Sequence, residues 1–359
     1  MIRFVTRKWP PAIGGMETYS LKLSQALVRH APVELIALPG RPDGSQPSAA
    51  ALMAFAVRAA WRLFTARDTG GTVHVADMAS WPLALAARLR SRRWQLALSA
   101  HGTDVSYPLR GGVKGSLYGA YLRLGARLLR SSVVIANSAA TAECVRSYGF
   151  RRVAVVPLAT DMRPLGPGGD PDSPDSPDSF VLFAGRLVER KGCSWFIRHV
   201  LPRLPDKLVL KVAGTIWSES EGKALGEPRV DYIGPQDTDA MARLYARALC
   251  VVVPNLVLPN GEFEGFGLVA TEASACGGIP LAAACGGLRE AVIDGLTGFL
   301  LPPGEADVWV GKIVDVSRWS PQARAAFIER SLAEAANRYS WPRVAEDTFR
   351  AYGVTLRAG

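Results

Sequence analysis

Asn260-Gly-Glu-Phe-Glu-Gly-Phe-Gly-Leu-Val-Ala-Thr-Glu-Ala-Ser-Ala-Cys-Gly-Gly-Ile-Pro280 decides the reading of the chain. It carries two carboxylates, Glu264 and Glu272, with Gly265 and Gly267 between them and an apolar run that predicts the first turns of a helix. Eight helical residues rise roughly 12 Å. Two acids so spaced do not share a proton, but they can grip two ends of one extended polar ligand. Glycines at a loop-to-helix junction let backbone N–H groups approach an anion, and the helix dipole favours it there. The stretch therefore predicts a ligand with phosphate in the middle and hydroxyls at both ends, as in a nucleotide-sugar.

Outward from this stretch, the second half alternates strand and helix. Phe180–Ala184 predicts a strand ending at Gly185-Arg-Leu-Val-Glu-Arg-Lys-Gly192, and Leu208–Ala213 and Val230–Ile233 predict two more. Asp237 or Thr238 is placed to cap a helix over Met241–Ala248, so Asp237 and Asp239 read as helix-start residues rather than metal ligands. Cys250–Pro254 leads into the Asn260 stretch, and Pro280–Ala283 and Gly295–Leu301 follow it. Arg186 and Lys191, five apart in a Gly-bounded loop, are either a pyrophosphate clamp or two solvated charges.

The first half repeats the alternation. Ile2–Thr6, Val33–Ala37, Val73–Val75, Trp94–Ser99 and Val133–Ala136 predict strands, each followed by a helical pattern. Repeated βα units imply α/β architecture with parallel sheets. Gly14-Gly15 opens the helix after the first strand, where backbone N–H groups can face a phosphate. This is not a Gly-x-Gly-x-x-Gly fingerprint, although Glu34 closes the second strand about where a dinucleotide fold would place its ribose acid, which keeps a nicotinamide-dependent enzyme as a competitor. His101, in Ala100-His-Gly-Thr-Asp104, follows a strand where open α/β sheets bind ligands. Between the halves, residues 166–179 are a Pro/Gly/Asp/Ser linker that marks a boundary and holds no metal geometry.

Composition narrows the class. The chain has 359 residues, 48% apolar and 21% charged, as expected of a two-domain globular enzyme. Five scattered cysteines without a Cys-x-x-Cys pair imply a reducing compartment and no zinc site, and four dispersed histidines suggest no metal cluster. With no signal peptide at the start and no membrane-length apolar run, the expectation is a cytoplasmic protein. Residues 1–165 carry 22 Lys+Arg and 8 Asp+Glu, or +14, while the remainder carries 20 and 24, or −4. The basic excess lies wholly in the first half. It implies either an anionic partner or a basic solvated surface, and no nucleic-acid motif accompanies it. Two helical stretches there, Ser48–Arg67 and Val113–Arg130, mix arginines with aromatic and leucine side chains. Each is either a helix for an anionic membrane surface or a core-facing helix with a solvated Arg face.

Taken in order, Gly14-Gly-Met-Glu17, His101-Gly-Thr-Asp104, Ala136-Asn-Ser138, Pro157-Leu-Ala-Thr-Asp161, Gly185–Gly192, Val230-Asp-Tyr-Ile-Gly234, Pro254, Glu264–Glu272, Gly286-Gly-Leu-Arg-Glu290, Gly295-Leu-Thr-Gly-Phe-Leu300 and Tyr339-Ser-Trp341 resemble the retaining GT-B-fold glycosyltransferases of family 4, the glycosyl transferases group 1. The resemblance covers nearly the whole chain. It implies an N-terminal Rossmann-like acceptor domain (1–165), a C-terminal nucleotide-sugar domain (180–338) facing it across a cleft, and a final segment (339–359) packing back on the first. It further implies that Gly15, Arg186 and Lys191 hold the donor diphosphate and that Glu272 holds the ribose. Glu264 would hold the donor sugar with backbone N–H groups of Phe266, Gly267 and Leu268, and His101 would sit at the reaction centre. No metal or other cofactor is implied. The expected reaction moves a hexose from a UDP- or GDP-sugar to a lipid-linked or glycan acceptor of the cell envelope, at the inner membrane face. Alternatives on the same fold are a nucleotide-sugar epimerase and a non-catalytic sugar-nucleotide-binding protein. Two departures from the family pattern stand out: Pro157-Leu-Ala-Thr-Asp161 replaces Pro-Asn-Gly-Val-Asp, and Asn255–Phe263 lengthens the loop before Glu264.

Overall fold

The computed structural model describes residues 1–12, 14–41, 45, 47–68, 70–165 and 180–353. The linker expected over 166–179 and the last six residues of the chain lie outside them. The chain separates into two compact units: residues 1–158 with the segment from Trp341, and Ala159–Ser340.

The first unit holds strands β1 (Ile2–Trp9), β2 (Val33–Pro39), β3 (Thr72–Val75), β4 (Gln95–Ala100), β5 (Val133–Ala136) and β6 (Arg152–Val155). They form one parallel sheet in the order β2-β1-β3-β4-β5-β6. Every residue of β3 and β5 is buried, as expected of parallel strands covered on both faces. The core packs Phe55, Leu63, Trp81, Trp94 and Leu122 from the flanking helices and turns against these strands. The last helix, Trp341–Ala351, lies on Gly15–Leu27, with Trp341 edge-on to Tyr19 (6.3 Å between ring centroids). Its His30–Phe349 stack (5.2 Å) closes the far end.

The second unit holds β7 (Phe180–Ala184), β8 (Val209–Ala213), β9 (Val230–Gly234), β10 (Cys250–Val253), β11 (Pro280–Ala283) and β12 (Phe299–Leu301). The order is β12-β11-β10-β7-β8-β9, again parallel throughout. The α/β class and the parallel sheets expected from the sequence are both present.

Two details differ from the sequence reading. Glu34 does not close a strand: β2 runs on to Pro39 because Ile36 and Ala37 pair with Val5 and Thr6, which leaves Glu34 near the strand's start. Its carboxylate there bridges Arg3 and Arg62, both at 2.8 Å. A ribose acid stands at the opposite end of such a strand, so the dinucleotide competitor loses its one supporting residue. The helix expected over Met241–Ala248 begins earlier, at Thr238, because Asp237 accepts from the Ala240 N–H at 2.8 Å and caps it.

Candidate functional site

In each sheet the chain leaves a central strand in one direction and later returns to its other side. The carboxyl ends of the two strands flanking that reversal form the crevice where open α/β sheets take ligands. In the second unit these strands are β7 and β10. The loops leaving them carry Arg186, Glu189, Arg190, Lys191, Glu262 and Glu264.

After β7 the chain makes a 3₁₀ turn, Glu189–Lys191, closed by Gly192 in the left-handed region (φ 70°). A Cβ on Gly192 would stand 2.0 Å from the Pro254 carbonyl, so glycine lets this turn press against the loop leaving β10. The turn aims both Arg190 and Lys191 at one oxygen, Glu264 Oε2, at 2.5 and 2.6 Å. Asn255 Nδ2 donates to the same oxygen at 3.1 Å. The three charged side chains are only 9–14% exposed. Burial by itself would raise the Glu264 carboxyl. The charges of Lys191 and then Arg190, with a hydrogen bond from each, outweigh that and hold it well below the usual carboxylate range. Glu264 Oε1 has no hydrogen-bond partner among the described residues. Two cations against one carboxylate leave the cluster net positive, with one acceptor oxygen to spare.

The backbone of Glu264 is fixed as firmly as its side chain. Its carbonyl accepts from the Gly287 N–H at 2.8 Å, and a Cβ on Gly286 or Gly287 would collide with the backbone of residues 264–266. Gly267 then starts the helix Leu268–Ala275 from a positive φ of 100°. Phe266 is buried, and Gly267 and Leu268 begin the first turn, whose N–H groups have no intrahelical acceptors. Glu272 lies one turn further along. Its Oε2 accepts from the Tyr245 hydroxyl at 3.2 Å. Burial raises its carboxyl, with the Tyr245 hydrogen bond and the Lys191 charge offsetting part of the rise. Tyr245 is itself pushed up by burial and by the charge of Glu272.

Lys191, Glu264, Phe266, Gly267, Leu268 and Glu272 are thus all carried by the loops and helix that follow β7 and β10. Arg186 is not part of the ion cluster: it is exposed, its guanidinium 5.3 Å from the centroid of the Trp217 ring. The sequence reading missed Arg190 and Asn255. The adjacent pair Arg190-Lys191 was the available signal, and a 3₁₀ turn brings both to one acceptor. Asn255 stood in the lengthened loop, where nothing local marks it as buried.

In the first unit the reversal lies between β1 and β3. Gly15 opens the helix that follows β1, and Gly14 before it is extended (φ 172°). His101 follows β4 and reaches across β3's end, donating from Nε2 to the Ala76 carbonyl at 2.8 Å. A carbonyl only accepts, so Nε2 carries a proton. The His101 N–H donates to Asp104 Oδ1 at 2.8 Å, and burial raises the Asp104 carboxyl. Tyr19 packs edge-on to His101 at 4.6 Å. Behind it runs a buried chain: Tyr19 hydroxyl to Ser99 Oγ (2.7 Å), Ser99 Oγ to His74 Nε2 (2.6 Å), His74 Nδ1 to the Tyr352 hydroxyl (2.6 Å). Burial, with the charge of His101, lowers His74 to about 3, so its ring is neutral. Among the described residues no three His, Cys, Asp or Glu side chains converge as a metal site would require.

Comparison with known proteins agrees with this architecture. The family described as "Glycosyl transferases group 1" matches residues 178–318, and "Glycosyltransferase Family 4" matches residues 13–163. The chain belongs to these glycosyltransferases and has their GT-B fold. D-inositol 3-phosphate glycosyltransferase of Mycobacteroides abscessus is 33% identical over 190 residues, which is 49% of this chain and 39% of that protein. The match therefore spans about two fifths of that relative's length. Among solved structures, HepE of Anabaena in complex with UDP and glucose superposes with a TM-score of 0.71 at 20% identity, covering 98% of this chain and 99% of that one. Sucrose-phosphate synthase of Thermosynechococcus elongatus gives 0.73 at 19%, covering 98% of both. At such identities the likeness is one of fold.

Proposed function

We propose that the protein is a retaining hexosyltransferase that takes a UDP- or GDP-linked hexose and transfers it to a lipid-linked or glycan acceptor in envelope or polysaccharide synthesis. The observation that carries this reading is the net-positive Arg190/Lys191/Glu264/Asn255 cluster at the β7–β10 reversal, with Glu272 at the far end of the same element. A donor diphosphate would draw Arg190 and Lys191 from the carboxylate to its own oxygens, with Arg186 free to swing to the same group. Glu264 Oε1 would accept a sugar hydroxyl, and backbone N–H groups of Phe266, Gly267 and Leu268 would flank the sugar. Glu272 would take the ribose hydroxyls. From the first unit, Gly15 N–H is assigned to the diphosphate and His101 to the reacting sugar. The acceptor oxygen attacks the anomeric carbon as its bond to the leaving phosphate oxygen breaks. The acceptor proton passes to that oxygen on the same face, so configuration is retained and nucleoside diphosphate leaves. The two cations stabilise the charge that develops on the leaving group, the part a metal plays elsewhere.

HepE's crystallisation with UDP and glucose supports a nucleotide-sugar donor and makes UDP-hexose the first candidate. A thermal-shift series with UDP-, GDP- and ADP-sugars tests it. One base should raise the melting temperature strongly, and a flat response to all three would remove the donor reading. Conversion of a nucleotide-sugar without any acceptor would point to an epimerase instead.

The membrane-face part of the reading draws on two helices of the first unit. Helix Ala49–Phe64 buries Phe55, Ala59 and Leu63 but exposes Met53, Val57, Trp61 and Phe64 on its other side. Helix Gly112–Leu128 exposes Val113, Leu117, Leu124 and Leu128 among its arginines. Apolar side chains with basic neighbours suit an anionic lipid surface. No helix among the described residues is long and apolar enough to cross a membrane. Flotation with anionic and neutral liposomes checks this part; equal, negligible flotation on both would place the acceptor in solution.

A further inference from the structure

The first unit has a second concave region, at the opposite edge of its sheet from His101. A hollow of about 310 Å³ is lined by Thr72, Gln95 and Val133, which start β3, β4 and β5 or stand one place inside them. His101 follows the other end of β4. Among the described residues four arginines line the hollow, Arg88, Arg92, Arg93 and Arg152, and no acidic residue does. Two of them are held in place by neutral acceptors. Arg88 donates to the Arg92 carbonyl at 3.0 Å and to the Ser131 hydroxyl, and Arg152 donates to the Ser131 carbonyl at 3.1 Å. Among the described residues none of the four is ion-paired with a carboxylate. Trp94, 2% exposed, stands in the same wall, and its buried indole N–H has no hydrogen-bond partner.

A second hollow of about 280 Å³ adjoins along the chain, lined by Arg123, Arg127, Arg130 and Arg151. The consecutive pairs Arg130-Ser131 and Arg151-Arg152 divide between the two, so one basic strip crosses both turns. This strip holds eight of the 22 cations in residues 1–165, which locates a large share of that half's excess charge away from the His101 edge. Guanidinium groups oriented by neutral acceptors, facing one hollow without counter-charge among the described residues, repel one another until an anion enters. Their planar forks match phosphate oxygens.

We propose that the hollow lined by Arg88, Arg92, Arg93 and Arg152 binds a phosphate monoester or diphosphate group. The site lies in the unit that does not contain the Arg190/Lys191 cluster, and it does not depend on the glycosyl-transfer reading. The phosphate can come from a free small molecule or from a lipid headgroup.

Titration calorimetry of the full chain with inorganic pyrophosphate, at ionic strength held constant with sodium chloride, is the test. Arg92 and Arg93 are both exposed, so the Arg92→Ala/Arg93→Ala protein should fold normally. It should lose at least about tenfold in affinity for one class of site, as should Arg152→Ala, while Lys191→Ala keeps that class. Sedimentation with vesicles of phosphatidic acid, whose headgroup is a phosphate monoester, and of phosphatidylcholine separates the sources. Retention on the anionic vesicles that is lost in the double variant assigns a headgroup, and pyrophosphate binding without retention assigns a free ligand. Pyrophosphate and vesicle binding that are both unchanged in Arg92→Ala/Arg93→Ala and Arg152→Ala overturn the site, as does a wild-type protein that binds neither.

Discussion

The two sheets reverse direction in the same way, yet the ends of their central strands are furnished differently. At β7 and β10 the groups are ionised and paired: two cations on one carboxylate oxygen, with the carboxyl held low. At β1 and β3 one cation, Arg7, meets one carboxylate, Asp77, at 3.1 Å, and beside that pair runs a neutral chain of hydrogen bonds, from Tyr19 through Ser99 and His74 to Tyr352, with the His74 imidazole held neutral. An ion pair can exchange its carboxylate for a phosphate with little change in the charge each cation faces. A neutral buried chain has no such exchange to offer and serves instead to hold Tyr19, and the His101 ring against it, in one orientation. The difference teaches that net charge does not locate the Arg190/Lys191/Glu264 cluster. Residues 1–165 carry +14, and the cluster sits in the half that carries −4.

The strongest way to break this contrast is Lys191→Ala. It leaves Arg190 paired one-to-one with Glu264, so folding should survive. Loss of a donor aimed at the leaving group should cut kcat/KM about 10²-fold, measured as nucleoside diphosphate release from the stabilising nucleotide-sugar. An unchanged rate would mean that the charged reversal is structural and the donor is held elsewhere.

A pH series separates the two regions next. His74 has its folded value lowered from 6.5 to about 3, so between these values the unfolded chain takes up a proton that the folded chain refuses. Its contribution is fully present above pH 6.5 and is lost as pH falls toward 3, about 2 kcal/mol by pH 5. Glu264 is lowered as well, but as a carboxylate its contribution is present above its usual 4.5 and fades only below that. The interval from pH 7.5 to 5 therefore reads His74 and not Glu264. Denaturant unfolding of wild type and His74→Asn over that interval should show a steeper loss in wild type, whereas parallel curves would mean that His74 is not held neutral.

Much of this was legible beforehand, and the parts that were not share a cause. Strand and helix order follows from local apolar periodicity and turn residues, so strands such as Phe180–Ala184 and Val133–Ala136 lie where their apolar runs put them. The Glu264/Glu272 spacing and the Gly267 helix start were also local. Arg190 was not legible, because which of three cations in Gly185–Gly192 turns inward depends on a 3₁₀ turn packed on Pro254, 64 residues from Arg190. His74 was passed over as one of four scattered histidines, since its partner Tyr352 is 278 residues away. The arginine hollow is assembled from three turns and the residues just after the last helix, Tyr352 and Gly353, and no window of sequence contains it.

Glu272 sharpens the contrast within the charged region itself. Its carboxyl is raised by burial, so the folded state holds its proton more tightly than the unfolded one. Its favourable contribution is complete below the usual 4.5 and is lost as pH rises through the raised value, which leaves the ionised group costing stability at neutral pH. Glu272→Gln removes that cost and should keep or raise the ligand-free melting temperature at pH 7.5. It should at the same time weaken nucleotide binding about tenfold, as expected for a lost charged hydrogen bond. Glu264→Gln should do the reverse to stability, because it strands two partly buried cations. Matching stability changes in the two variants would erase the distinction between the two glutamates.

The smallest expected effect tests whether the neutral chain acts as one unit. Tyr352→Phe keeps the ring that packs edge-on to His74 (5.7 Å) and Phe349 (6.1 Å) and removes only the hydroxyl on His74 Nδ1. Both residues are buried, so water does not readily replace that hydroxyl. Loss of one such bond should lower unfolding free energy by about 1 kcal/mol. The pH experiment then gives a second reading of the same change. With Nδ1 unpartnered, the ring keeps its bond to Ser99 and its burial, so it should remain neutral and the slope between pH 7.5 and 5 should persist. A Tyr352→Phe protein that matches wild type in stability would reduce the chain to the Tyr19–Ser99–His74 segment. The last helix would then be held to the first unit by ring packing, such as Trp341 on Tyr19 and Phe349 on His30, and by hydrogen bonds such as those of Arg343 to the Pro157 and Leu158 carbonyls, rather than by the Tyr352 hydroxyl.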